Sequence, residues 1–147
     1  MHSVNSTHAR HSFINPAQLY DPRPNAYTHV VVASTPARIV HVAGQGGEDD
    51  AGQLAADFET QVRQALTNLG AALAAADATF SEVVKITVLI VDHDADRLAI
   101  FGRALGAAWG VHPPPACTLI PVARLALDGM LFEIDAMAVS TLPASLT

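Results

Sequence analysis

The chain of 147 residues contains one cysteine, so no disulfide can form within it, and a lone thiol fits a reducing compartment. Positive charge is also scarce. Eight Lys and Arg face fourteen Asp and Glu, a formal net charge of -6, with no basic run. Nucleic-acid binding through phosphate neutralisation needs a clustered basic face, so that class is set aside. Long apolar runs are absent too. The longest, around Val83 to Val91, is interrupted by Lys85 and falls far short of the roughly 20 residues that span a bilayer. Met1 to Ser12 is polar, rich in His and Ser, and lacks the apolar segment of a secretory signal. These absences predict a cytoplasmic protein with no membrane or nucleic-acid partner.

What is present suffices for a core. Half the residues are apolar, and the length fits one domain of the usual size, roughly 100–150 residues. The expected division is a flexible tail over 1–12, one domain over 13–140 and a short tail over 141–147. Pro16, Pro22 and Pro24 make an extended arm after the first tail. Thr28 to Ala33 and Arg38 to Ala43 read as strands around a hairpin loop at Ser34-Thr35-Pro36-Ala37. Gly44 to Gly52 reads as a flexible acidic loop.

Asp57 is placed to cap a helix reaching about Ala76. Phe58, Val62, Ala65, Leu66, Leu69, Ala72, Leu73 and Ala76 recur at spacings of three and four, forming one apolar stripe. Glu82 to Val91 reads as a buried strand. Ala95 to Trp109 reads as a second helix with Leu98, Phe101, Leu105 and Ala108 on one face. His112-Pro113-Pro114-Pro115 forces the chain to extend again. Two strands follow, Ala116 to Ala123 and Leu131 to Val139, with Asp128-Gly129 as the turn between them. The order β-β-α-β-α-β-β predicts an α+β subunit, a mixed sheet with two helices on one face. Val83, Val84, Ile86, Val88, Leu89 and Ile90 place apolar residues in both alternation sets. Two helices cannot cover both faces, so a homo-oligomer is expected.

Three stretches invite chemical readings. Asp92-His93-Asp94-Ala95-Asp96 carries oxygen and nitrogen donors, but it fits neither the EF-hand nor common zinc spacings. It joins a strand to a helix, where Asp caps are expected, so no metal is predicted. Gly44-Gln45-Gly46-Gly47 lacks the Lys-Ser/Thr of a phosphate loop and precedes acids that repel phosphate. Cys117 could serve as nucleophile, redox sensor or metal ligand if a base such as His29, His41, His93 or His112 lies near it, or it could simply fill space.

The segment Pro114-Pro115-Ala116-Cys117-Thr118-Leu119-Ile120-Pro121-Val122-Ala123-Arg124-Leu125, followed by Phe132-Glu133-Ile134-Asp135-Ala136-Met137-Ala138, resembles the C-terminal signature of the RidA (YjgF, L-PSP) family. That signature reads Pro-Ala-Arg-Thr/Ser, an apolar run ending near Val-Ala-Arg-Leu, then a Glu-Ile-Glu-Ala strand. Earlier segments match in order. Ala26-Tyr27 stands for the family's Pro-Tyr, and Val42-Ala43-Gly44-Gln45 for its Ser-Gly-Gln segment. Gln61 to Leu69 matches its Gln-Ala-Leu-x-Asn-Leu helix, and Ser81 to Val91 its Asp-Val-Val-Lys-x-Thr-Val strand.

The resemblance implies a chorismate-mutase-like subunit in a barrel-like homotrimer, with small-molecule clefts between subunits. It implies hydrolysis of enamines or imines with release of ammonia and without a cofactor. Glu133 falls where the family positions a water. Tyr27, Gly44, Gln45 and Thr118 would line the cleft, and Cys117 would stand at the catalytic position beside them. Some relatives are labelled endoribonucleases, an activity that the acidic balance disfavours. Two departures stand out. Ala43 removes a hydroxyl, and Cys117 replaces the arginine that grips a substrate carboxylate through its planar fork of donors. A charged hydrogen bond is worth about 1.5–3 kcal/mol, so 2-imino acids should be held at least tenfold more weakly, by the arithmetic of roughly 1.4 kcal/mol per decade. The alternative is a trimer that binds a metabolite without turnover.

Overall fold

The computed structural model describes residues 11–142. The first ten residues of the expected N-terminal tail and residues 143–147 of the C-terminal tail lie outside it. Helix α1 runs over Phe58–Ala75. Asp57 starts it by accepting a hydrogen bond from the Thr60 amide at 2.8 Å, a cap worth about 1 kcal/mol. Phe58, Val62, Ala65, Leu66, Leu69 and Leu73 are buried along the predicted stripe. The helix ends one residue early, at Ala75, because the chain reverses through Asp77 in the left-handed region (φ 52). Helix α2 spans Ala95–Trp109, capped by Asp94 on the Arg97 amide at 2.8 Å. Phe101, Leu105 and Trp109 are its buried positions. Gly110 (φ 59) stops it, where a residue with a Cβ would be strained.

The strands are β1 (His11–Ile14), β2 (Val30–Ala33), β3 (Arg38–Gly46), β4 (Val83–Val91), β5 (Ala116–Val122) and β6 (Phe132–Ser140). A four-stranded sheet has the order β3-β6-β4-β5, with β4 and β5 parallel and the other pairs antiparallel. It is the predicted α+β mixed sheet with two helices. The helix-facing side carries Ile86, Val88, Ile90, Phe132, Ile134, Ala136 and Ala138, all buried. Phe132 packs its ring against Phe58 and Phe101, with centroids 6.0 and 5.7 Å apart. Each buried Ile, Val or Phe side chain contributes about 1.5–3 kcal/mol. Among the described residues no helix is long and apolar enough to cross a membrane.

Two pairings differ from the sequence expectation. β2 does not form a hairpin with β3. It pairs with β1 in a separate two-stranded ribbon, Phe13 opposite Val31, so His11 and Ser12 belong to a strand rather than to a flexible tail. Asp128-Gly129 makes a turn (Gly129 φ 81) but does not join neighbouring strands, because β4 lies between β5 and β6. The physical reason lies in side-chain chemistry. β4 is apolar in both alternation sets and takes an inner place, whereas β5 contains Pro121, which lacks an N–H and suits an edge. β3 also runs further than expected. It continues through Gly44-Gln45-Gly46, with an irregularity between Val42 and Gln45. Two buried or half-buried amides on α1 fix the ends of these strands. Asn68 donates to the Gly46 and Glu48 carbonyls, and Gln61 donates to the Ala55 and Gly129 carbonyls while accepting from the Leu131 amide.

Candidate functional site

Strand register decides which predicted site residues meet. Cys117 on β5 stands opposite Ile86 on β4, so it shares the helix-covered side and packs on the core. Thr118, one residue on, stands opposite Thr87 and faces the open side. Its hydroxyl accepts from Lys85 Nζ at 2.5 Å. Glu133 on β6 stands opposite Leu89, which in turn faces Ile120. Glu133 is therefore on the open side, and within one chain the two predicted catalytic residues point to opposite faces of the sheet.

Cys117 closes one wall of a cavity of about 320 Å³ on its own side. Tyr20, Asn25 and Tyr27 enter it from the arm, His93 from the turn after β4, and Leu98 and Phe101 from α2. Thr28 explains how the arm reaches β5. Its amide donates to the Pro115 carbonyl at 3.0 Å, its hydroxyl to the Pro114 carbonyl at 2.6 Å, and it bridges to Ala116. The prolines predicted to extend the chain thus offer carbonyls that anchor the neighbour of Tyr27. The Tyr20 and Tyr27 hydroxyls are hydrogen-bonded to each other. His29 buttresses both rings edge-on at 5.2 and 5.3 Å, and its Nε2 donates to the Tyr20 carbonyl at 2.9 Å.

Among the described residues the cavity carries no fixed charge from Arg, Lys, Asp or Glu. Burial pushes the Cys117 thiol up to about 11, against a small lowering by Lys85. Burial, then the hydrogen bond from Tyr20, raises the Tyr27 phenol to about 12. Both are neutral at physiological pH, so Cys117 is held as a thiol rather than a nucleophilic thiolate. Of the four histidines considered as its partners, His93 shares the cavity, while His41 and His112 are exposed elsewhere.

The other predicted group surrounds Glu133. Gly44 lies against its side chain so closely that any Cβ there would overlap the carboxylate. A residue with a Cβ at this point of β3 would force the Glu133 carboxylate to move. Gln45 stands in register with Ile134, and its amide donates to the Ala43 carbonyl at 3.0 Å. In the Asp92 to Asp96 stretch, Asp94 caps α2, as expected, and Asp92 turns through the left-handed region (φ 49). Among the described residues no group of three or more His, Cys, Asp or Glu is placed to hold a metal ion.

Sequence reasoning missed Tyr20 and Asn25 as cavity residues and placed Leu98 and Phe101 only on one face of the second helix. The available signal was the second tyrosine seven residues before Tyr27 in a proline-bounded arm.

Comparison with known proteins agrees with this architecture. Residues 21–140 match the family model described as Endoribonuclease L-PSP. A RutC family protein of Synechocystis is 38% identical over 111 residues, covering 67% of this chain and 82% of the relative. The bovine 2-iminobutanoate/2-iminopropanoate deaminase is 46% identical over 57 residues, 37% of this chain and 42% of that protein. A crystal structure of a conserved Rid family protein of unknown function from Yersinia pestis superposes with a TM-score of 0.83 at 34% identity, covering 87% of this chain and 97% of that one.

Proposed function

We propose that this chain, which belongs to the RidA/YjgF (L-PSP) family, hydrolyses an imine or enamine with release of ammonia, in a cleft shared between copies of a homotrimer. One observation carries the reading. The Tyr27–Cys117 cavity and the Glu133–Gly44 group lie on opposite faces of one sheet, so a second copy is needed to bring them to one substrate. The open face supports association, since Ile39 and Ile120 are 54% and 43% exposed and half-buried Leu89 and Met137 lie on the same side. The bovine deaminase supports the reaction class.

In this reading the Glu133 carboxylate accepts a proton from water as the oxygen attacks the imine carbon. The new carbon–oxygen bond gives a carbinolamine. The imine nitrogen takes that proton to complete the carbinolamine. The carbinolamine hydroxyl then passes its own proton, through the same carboxylate, to the nitrogen, so that the C=O bond forms as the carbon–nitrogen bond breaks and ammonia leaves. One imine and one water thus become one carbonyl compound and one ammonia, with no change of oxidation state. Backbone groups near Cys117 and Thr118 polarise the developing charge. The cavity offers no guanidinium, so the favoured substrate lacks a carboxylate next to its C=N group or carries it elsewhere.

Ammonia release is the test. Imines made in situ by an amino-acid oxidase carry the carboxylate, and those made from primary amines by an amine oxidase do not. Faster release from the second group is expected, and Cys117→Arg should raise turnover of 2-iminopropanoate at least tenfold, the size of one charge-assisted hydrogen bond. A folded trimer that releases ammonia from neither group, with or without the arginine, would overturn hydrolysis and leave metabolite binding.

A further inference from the structure

The arm that reaches the cavity carries a second tyrosine. Tyr20 lies outside residues 21–140, the span matched by the family model. Its residue is exposed, yet it is held at three points. Its carbonyl accepts from His29 Nε2 at 2.9 Å. Its ring stands edge-on to His29 and Tyr27, with centroids 5.2 and 6.4 Å away. Its hydroxyl is hydrogen-bonded to the Tyr27 hydroxyl. His29 is itself anchored, since its amide donates to the Asn15 side chain at 2.9 Å. Edge-on ring pairs contribute about 0.5–1.5 kcal/mol each, which offsets the rotamer freedom that an exposed ring gives up. Both tyrosines line the cavity with Cys117, and the Cys117 sulfur is near enough to act on the Tyr27 phenol. The hydroxyl pair thus sits at the cavity, and its bond lies at exposed positions that a ligand can reach.

Two phenols hold two O–H donors, and the bond between them uses one. One O–H and free lone pairs remain, a donor and an acceptor side by side. A ketone or a carboxylate offers acceptors only and matches half of this pair. An imine nitrogen carries both an N–H and a lone pair, and a primary amide likewise donates and accepts, so each matches all of it. We infer that Tyr20 is a ligand-binding residue of this cleft, its hydroxyl joined to that of Tyr27 in a pair that takes an uncharged group able to donate and accept at once, the C=N–H end of an imine or a primary amide. The inference rests on the proposed cleft for its location and names what that cleft prefers. The surroundings fit an uncharged ligand. The Cys117 thiol and Tyr27 phenol are neutral, and Leu98, Phe101 and Leu119 supply apolar walls. A carboxylate in this space would lose its hydration without gaining a cation. Hydrogen bonds passed along two hydroxyls also strengthen one another. The same pair separates substrate from product. Hydrolysis turns C=N–H into C=O and removes the N–H, so the carbonyl product is held more weakly than the imine and leaves.

The probes are propanamide and butanone, alike in shape and differing in NH2 against CH3. In the wild type, propanamide should shift the ring resonances of Tyr20 and Tyr27. Tyr20→Phe keeps the ring and its edge contacts and removes one oxygen. It should weaken propanamide about fivefold, the size of one neutral hydrogen bond, and leave butanone within about twofold. Tyr27→Phe should do the same. The double variant should lose little more than either single, because both oxygens serve one pair. Unchanged propanamide binding in Tyr20→Phe, equal losses for the two probes, additive losses in the double variant, or no propanamide binding by the wild type would each overturn the inference. The kinetic arm separates it from the hydrolytic reading. With the imine of butanone, made in situ from its primary amine by an amine oxidase, Tyr20→Phe should raise KM about fivefold at similar kcat. Turnover with unchanged KM would sink the role of Tyr20 and spare the hydrolase. Propanamide held through the paired hydroxyls without turnover of any imine would do the reverse.

Discussion

The two faces of the four-stranded sheet are made by the same strands and behave differently. On the helix side every second residue of β4 and β6 is fully or almost fully buried, and the chain completes this face by itself. On the open side the alternating residues Lys85, Thr87, Leu89, Glu133, Asp135 and Met137 are not buried, and only Val139, at the end of β6, is. Polar groups there are partly committed to one another. Asp135 accepts from the Thr87 amide at 2.9 Å, and Lys85 donates to Thr118. One face is a finished core. The other is a mixed surface with apolar residues at both edges, Ile39 on β3 and Ile120 on β5. A subunit can thus separate stability from assembly, and the proposed chemistry draws on both sides.

The sharpest way to break this comparison is at Phe132, fully buried between two aromatic rings. Phe132→Ala should cost about 3–5 kcal/mol, the range for a large core truncation, read from urea unfolding. A loss no larger than that of Met137→Ala on the open side would erase the difference between the faces. Next is the pair Ile39→Asp with Ile120→Asp. These should leave the helical circular dichroism intact while the light-scattering mass falls from three chains toward one. A wild-type mass of one chain would refute both the trimer and the shared cleft.

Gly44→Ala sharpens the comparison at the Glu133 group. The added methyl overlaps the carboxylate, so ammonia release should drop more than tenfold, the usual scale for a displaced catalytic group, with little change in the unfolding midpoint. Full activity would show that the Glu133 position is not needed.

The helix side also predicts an alkaline weakness. Cys117 is raised from its ordinary 9.0 to about 11 by burial. Its neutral form is favoured by the fold, so the stability it brings is whole below pH 9 and is lost as pH rises from 9 toward 11, when the unfolded chain ionises first. Wild type should fall faster than Cys117→Ser across that window, and parallel curves would deny the burial. The smallest effect is expected at the cap of α2. Asp94→Ala should cost about 1 kcal/mol, visible as a small shift in the unfolding midpoint.

The helices were legible because their signals are local. Asp57 and Asp94 cap as their side-chain chemistry dictates, and a three-four spacing of apolar residues can bury only one stripe. The strands were legible as segments, but their neighbours were not. A period of two says that Glu133 and Ile134 face opposite ways without saying which strand lies alongside. The hairpins expected at Ser34 to Ala37 and at Asp128-Gly129 followed the habit that adjacent strands pair. β1 and β4 took those places instead.

The candidate site divides in the same way. Its members Tyr27, Gly44, Gln45, Cys117, Thr118 and Glu133 came from a resemblance read along the chain, which carries no information on faces. The sequence by itself determined the two amphipathic helices, the apolar β4, the missing disulfide and the loss of a guanidinium at position 117, because each depends on residue type and near spacing. Only the tertiary structure decided that Cys117 and Glu133 point apart, that the arm seats Tyr20 and Tyr27 beside Cys117 through Thr28, and that His93 keeps a buried nitrogen without a partner among the described residues. These follow from register and from contacts such as that of Thr28 with Pro114, 86 positions apart, and such contacts are fixed when the whole core closes rather than by any local stretch of chain.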